Sequence, residues 1–284
     1  MKGVTLIELV VTIALLGILA AVAAIYIAPA LEAYFASQRR AGVADVTDTA
    51  LRRMTRDIRL ALPNSVRSAS AGGERFLELL LTKNGGRYRS AHDDNPATME
   101  DPLDFSGDDG FDTLGILPSG GDQQVLAGDR VVIHNLGISG ADAYDTGAAP
   151  PNIAPITAFG AGALAAENRL TLPPGTQFAL ESPGRRFFVV AGPVTYACVG
   201  VGASGGNGTG FLRRWGGYAI QAAQPTAPPG GASDAVLADN VSACELQYTA
   251  FALVSRGLVA VRLAITRGGE TVTLYHEAHV NNLP

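Results

Sequence analysis

The twenty-three residues from Leu9 to Leu31 contain no charged side chain, and this run constrains the chain more than any other feature. At the rise of an α-helix it extends roughly 34 Å, enough to cross a hydrocarbon core of about 30 Å. A secretory signal has a shorter apolar stretch and a small-residue cleavage site behind it. Here only Met1, Lys2 and Gly3 form a polar prefix. Glu8 stands at the edge of the run, and no Lys, Arg or His lies between Val4 and Tyr34 to neutralise it. An ionisable group at the edge of a bilayer is expensive unless it is matched, and so marks function. Cleavage after Gly3 would place a new amine on Val4, one helical turn from Glu8. Supplied by the same helix or by a neighbour, that amine compensates the acid; the neighbour version makes Glu8 a register device for side-by-side helices. Gly17 and the alanines between Ala20 and Ala30 permit close helix packing and equally suit plain membrane filler.

The helical pattern continues past the apolar run. Leu31, Phe35, Val43, Val46, Ala50, Met54, Ile58 and Ala61 recur at three- to four-residue steps, interrupted only near Gln38–Gly42, with charges between them. This half is expected to lay its stripe on a sheet and to stop at Leu62, before Pro63. A helix from Thr5 to Leu62 would be about 87 Å long, a length suited to a filament subunit. The arginines from Arg52 to Arg67 have Asp48 and Asp57 interleaved and no aromatic platform, so they read as a solvated face or as inter-subunit ion pairs rather than a nucleic-acid site. A net charge of -5 and a pI near 5.4 agree.

Thirty-four glycines, 16 prolines and only 17% charged residues suit a β-rich domain with many turns. Predicted strands are Phe76–Leu81, Arg130–Asn135, Arg169–Leu172, Gln177–Leu180, Phe187–Ala191, Val194–Cys198, Tyr218–Gln221, Cys244–Ala250, Leu258–Thr266 and Thr271–His276. The last two flank Arg267-Gly268-Gly269-Glu270, the clearest hairpin. The expected fold class is α+β: a long N-terminal helix on an antiparallel sheet. Residues 91–128, rich in aspartate, and 137–166, rich in Gly, Ala and Pro, are expected to be long loop insertions at the domain edge.

Chemistry-bearing patterns are sparse. His92, His134, His276 and His279 are scattered, Ser204-Gly205-Gly206-Asn207-Gly208 lacks the lysine of a phosphate loop and reads as a turn, and neither GxSxG nor HExxH occurs. No catalytic, cofactor-binding or metal residue is assigned, and no enzyme is expected. The acidic segments DDNPATMEDP and SGDDGFD do not have the ligand spacing of an EF-hand. Cys198 and Cys244, on two predicted strands, suit a disulfide outside the cytoplasm and otherwise buried free thiols.

The segment Lys2-Gly3-Val4-Thr5-Leu6-Ile7-Glu8 and the apolar run behind it resemble the N-terminus of type IV prepilins and type II secretion pseudopilins. The resemblance implies cleavage by a prepilin peptidase between Gly3 and Val4, N-methylation of Val4 and an assembly role for Glu8. Val4 stands where the family usually has Phe, a change that bears on methylation rather than cleavage, and Pro29 lies later than the family's helix-kinking proline. The implied organisation is a leader at 1–3, a transmembrane half at 4–30, an amphipathic half at 31–63 and a periplasmic domain at 64–284. Blocks at 48–54, 61–67, 192–198, 241–248 and 279–284 are similar to MshO-type minor pilins of mannose-sensitive haemagglutinin pili, and two of them hold the cysteines. That similarity implies a low-abundance subunit that initiates or caps a filament, with major and other minor pilins, an inner-membrane assembly platform and its ATPase as partners. Membrane lipid is the partner before assembly, no nucleic acid or cofactor is implied, and the topology is single-pass in the inner membrane. The alternatives are a minor pseudopilin at a secretion-system tip and an adhesin or DNA-uptake pilin.

Overall fold

The computed structural model describes residues 3–93, 99–251 and 255–284, so Met1 and Lys2 of the expected leader and Asp94 of the acidic stretch lie outside the described residues. Among the described residues one α-helix, α1 (Leu6–Arg59), is followed by fourteen strands and a short 3-10 turn at Gly121–Gln123. They are β1 (Arg67–Ala71), β2 (Glu74–Arg87), β3 (Asp108–Asp112), β4 (Arg130–Ile133), β5 (Ile153–Pro155), β6 (Ala158–Ala161) and β7 (Asn168–Thr176). After them come β8 (Arg186–Val199), β9 (Ala203–Ser204), β10 (Asn207–Gly208), β11 (Gly210–Gly216), β12 (Ser233–Phe251), β13 (Arg256–Arg267) and β14 (Glu270–Asn281). The α+β expectation holds: a membrane-length helix packs on a multistranded antiparallel sheet.

The helix runs unbroken through Gln38–Gly42 and through Pro29, so no turn melts there. Pro29 has no N–H to offer to the carbonyl one turn back, and the continuing ladder on either side holds the helix together. At its end the helix stops at Arg59, three residues before the expected position. The next residues leave it for the sheet: the Leu62 N–H donates to the Leu80 carbonyl at 2.8 Å, and the Thr82 N–H to that of Leu60 at 2.9 Å. Backbone pairing with β2 thus ends the helix ahead of Pro63.

The main sheet runs β1-β2-β8-β11-β12-β13-β14, with β4 and β5 appended beside β8. The two predicted strands Phe187–Ala191 and Val194–Cys198 are one strand, β8, that changes neighbour along its length: Phe187 to Val190 pair with β4, Val194 to Val199 with β11. The predicted hairpin closes as expected, with Arg267 opposite Glu270 across Gly268 and Gly269, both at positive φ. A two-residue turn of that hand matches the twist of the strands and favours glycine at both positions. Gly205-Gly206 makes the same turn between β9 and β10.

Val43, Leu51, Met54 and Ile58 of α1 pack on Leu77, Leu79, Leu212, Leu263 and Ile265 of the sheet in one buried cluster. The stripe starts later than expected, since Leu31 and Phe35 are 51% and 55% exposed. The tip of the β13–β14 hairpin reaches Arg39, beside Gly268, and Arg40, which meets Glu270 at 2.7 Å, and the helix before that point has no sheet beneath it among the described residues.

The two expected insertions are long inter-strand loops, as read from the sequence, but they also carry short strands that the sequence reading did not predict. Residues 91–128 contain β3, and 137–166 contain β5 and β6; β3, β7 and β6 form a second, three-stranded sheet. It encloses a second core in which Leu103, Phe111, Val125, Ile156 and Leu170 surround Phe187 of β8. Gln177–Leu180 and Tyr218–Gln221 are not strands. Their apolar residues serve as loop anchors: Phe178 is buried in the second core and Tyr218 beneath the main sheet.

Candidate functional site

The start of α1 is built from Thr5 and Glu8. Thr5 is the N-cap, in extended backbone; its Oγ1 accepts the Glu8 N–H at 3.3 Å, and Glu8 Oε2 reaches back to the Thr5 N–H at 3.4 Å. This reciprocal pair is a capping box, which satisfies two donors that the first turn otherwise leaves open. A carboxylate there also complements the positive end of the helix dipole. The carboxylate therefore lies against the peptide that joins Val4 to Thr5, beside the position a Val4 amine would occupy. Gly3 and Val4 precede the helix in exposed, non-helical chain. The sequence reading of Glu8 passed over the capping box, although its Thr-x-x-Glu spacing is the box's own sequence sign.

Behind the box the helix presents the apolar run, which nothing among the described residues buries: Ile13, Leu16, Leu19 and Ile25 are among its exposed side chains. One helix of this length and composition near the N-terminus supports a single-pass membrane topology.

Two buried polar networks brace the domain. Asp57, on the sheet side of α1, accepts from Tyr196 Oη at 2.7 Å and from Arg214 Nε at 2.9 Å. Burial and the neighbouring Asp57 carboxylate push the Tyr196 phenol far above its ordinary range, so it stays a donor. Glu78, opposite Arg67 on the β1–β2 hairpin, meets the Arg67 guanidinium at 2.6 Å and Tyr218 Oη at 2.8 Å. Arg67 also stacks on Tyr144. It is therefore a structural member of the second network, and the sequence-predicted arginine face contracts to Arg52, Arg53, Arg56 and Arg59. Cys198 of β8 and Cys244 of β12 form a disulfide with Cα atoms 6.3 Å apart, reaching past β11, which lies between their strands.

No organised catalytic centre is present among the described residues. Asp101, Asp108 and Asp109 converge, but they are partly or fully exposed and Arg169 pairs with Asp101 and Asp109. A guanidinium already supplies the positive charge that a cation would bring. The histidines do not assemble: His276 stands 4.0 Å from Asp48, and burial lowers the pKa of His134, whose Nδ1 has no hydrogen-bond partner.

Comparison with known families gives a match to the prokaryotic N-terminal methylation motif over residues 1–24. No curated protein and no solved structure matches the chain. The motif, at the head of a membrane-length helix that lies on an antiparallel sheet, supports assignment to the type IV pilin and pseudopilin superfamily and a structural rather than enzymatic role.

Proposed function

We propose that this chain is a minor pilin of the mannose-sensitive haemagglutinin type, one that helps to initiate or cap a type IV pilus filament. A prepilin peptidase removes residues 1–3, and Val4 becomes the amino terminus and the methylated residue. The chain waits in the inner membrane, with residues 4–30 in lipid, 31–63 joining anchor to domain, and 64–284 in the periplasm. Assembly platform and ATPase then lift the helix out of the bilayer into a bundle of major and other minor pilins.

The observation that carries this reading is the capping box at the head of an uncovered apolar helix. Glu8 is held against the Val4–Thr5 peptide, where a new amine, from this chain or an adjoining one, compensates its charge. The apolar side chains behind it exchange lipid for protein contacts, and the domain stays outside the bundle because the sheet covers only the last third of α1. Exchange of Glu8 for Ala removes the carboxylate half of the box and the register charge, and keeps the Thr5 cap on the residue-8 N–H. The expected result is precursor that is cleaved normally and anchored in the membrane, yet depleted from sheared filaments at least tenfold by immunoblot. Incorporation equal to wild type would overturn the role given to Glu8.

A further inference from the structure

At the other end of α1 from the capping box, a groove of about 840 Å³ lies between the last three turns of α1, the middle of β2 and the turn at Gly121–Gln123. Its charges do not cancel. Arg52 is tied to Asp48 at 2.6 Å, Lys83 to Asp129 at 2.8 Å and Arg214 to Asp57 at 2.9 Å. Arg53 and Arg56 on the rim are exposed and have no ion pair among the described residues, against one unpaired acid in the lining, Asp122. In sequence Asp57 interleaves the arginines, but in the fold it is turned beneath the helix and its charge is matched by Arg214. The floor is also unfinished. Arg214 donates only through Nε, so its terminal nitrogens have no hydrogen bond among the described residues, and Thr82 Oγ1 is buried without a partner. Donors and positive charge left over in a half-enclosed site suit an anion.

We propose that this groove receives a carboxylate-bearing loop from a neighbouring filament subunit, a reading that rests on the filament role above. The fold favours a protein over a lipid headgroup. The apolar run ends at Leu31, and 22 further residues of continuous helix put Arg53 about 33 Å beyond it, well past a headgroup layer of several ångströms. It favours a protein over nucleic acid as well. The basic face is two turns long, carries no aromatic side chain for base stacking and is bordered by Asp45, Asp48 and Asp122 on a chain of net charge -5. Because α1 is one unbroken helix, side-by-side packing of the apolar halves brings this face against the next domain, where complementary charge selects partner and register.

The test places a photo-reactive phenylalanine at Gln123 of the full chain in cells and maps the adducts in sheared filaments by mass spectrometry. The expected adduct lies on a subunit peptide with at least two acidic residues. Its yield falls about tenfold in the Arg53→Gln/Arg56→Gln variant, as loss of two surface-exposed charge pairs allows, and is unchanged by Arg59→Gln, which lies outside the groove. Both substituted arginines are exposed and unpaired, so equal thermal unfolding of the detergent-solubilised variant checks that it folds. A subunit present in filaments with no adduct, with an adduct on lipid or a neutral peptide, or with equal yield in the double variant overturns the proposal. Absence of the subunit from filaments overturns the filament role and takes this inference with it. In a second arm, the solubilised chain is titrated with a labelled (Glu-Gly)5 peptide, its (Gln-Gly)5 counterpart and a 20-base-pair DNA duplex. Preference for the Glu peptide that the double variant loses supports the proposal; binding of the duplex alone contradicts it.

Discussion

Glu78 is a carboxylate buried in the domain and Glu8 one at the head of a membrane-length apolar helix, and the fold meets their charge in different ways. Glu78 is fully buried and ringed by Arg67 and Tyr218. Burial is the largest influence on its pKa and raises it above the ordinary 4.5, against the lowering by Arg67 and Tyr218. The folded state thus holds its proton more tightly than the unfolded chain. The stability it contributes is full below pH 4.5 and is lost as pH rises through the raised folded value. Thermal unfolding of wild type and Glu78→Gln across this range should show the advantage of wild type shrinking as pH increases; a gap that widens would contradict the burial argument. Glu78→Ala leaves the Arg67 charge without its carboxylate, although the guanidinium keeps its bonds to the Gln221 and Ala222 carbonyls and Tyr218 its bond to Thr195, and should cost about 3 kcal/mol at neutral pH. The network was hidden in the sequence because Arg67 and Glu78 are brought opposite one another only by the turn at Gly72-Gly73. The box at Glu8 needed no such folding step and was readable directly as Thr-x-x-Glu.

At the scale of elements, α1 divides by what lies beneath it rather than by its own pattern. Met54 is wholly buried and Phe35 is 55% exposed, although both belong to one apolar stripe. Met54→Ala should therefore destabilise the detergent-solubilised chain by about 2–5 kcal/mol. Phe35→Ala should leave its unfolding temperature unchanged and instead reduce filament incorporation; equal destabilisation by the two would refute the division. Helix, hairpin and most strands of the main sheet were legible because period and turn chemistry are local signals. Of the small sheet only β7 was, as Arg169–Leu172. Phe111 lies between Gly110 and Asp112 and Ile156 between Pro155 and Thr157, with no sustained period of two around either, and they become core only when β7 and β8 bring Leu170 and Phe187 to them. Asp57 misled for a related reason: its spacing from Met54 and Ile58 puts it on the buried stripe, while its charge suggests the solvent face.

Across the whole molecule, a disulfide-linked β domain with several buried clusters is joined to a helix whose first thirty-odd residues have no packing partner among the described residues. Roughly 81 Å of continuous helix makes a poor investment for a soluble domain and a good spine for an assembly. In the assembly proposed above, the apolar half exchanges lipid for other helices, and that change begins at the peptide that Glu8 touches. Mass spectrometry of the subunit's N-terminal peptide, taken from sheared filaments, tests this most directly. The peptide should begin at Val4, with or without a methyl group on its amine. A chain that retains Met1, Lys2 and Gly3 and is found only as a solitary membrane protein would contradict it.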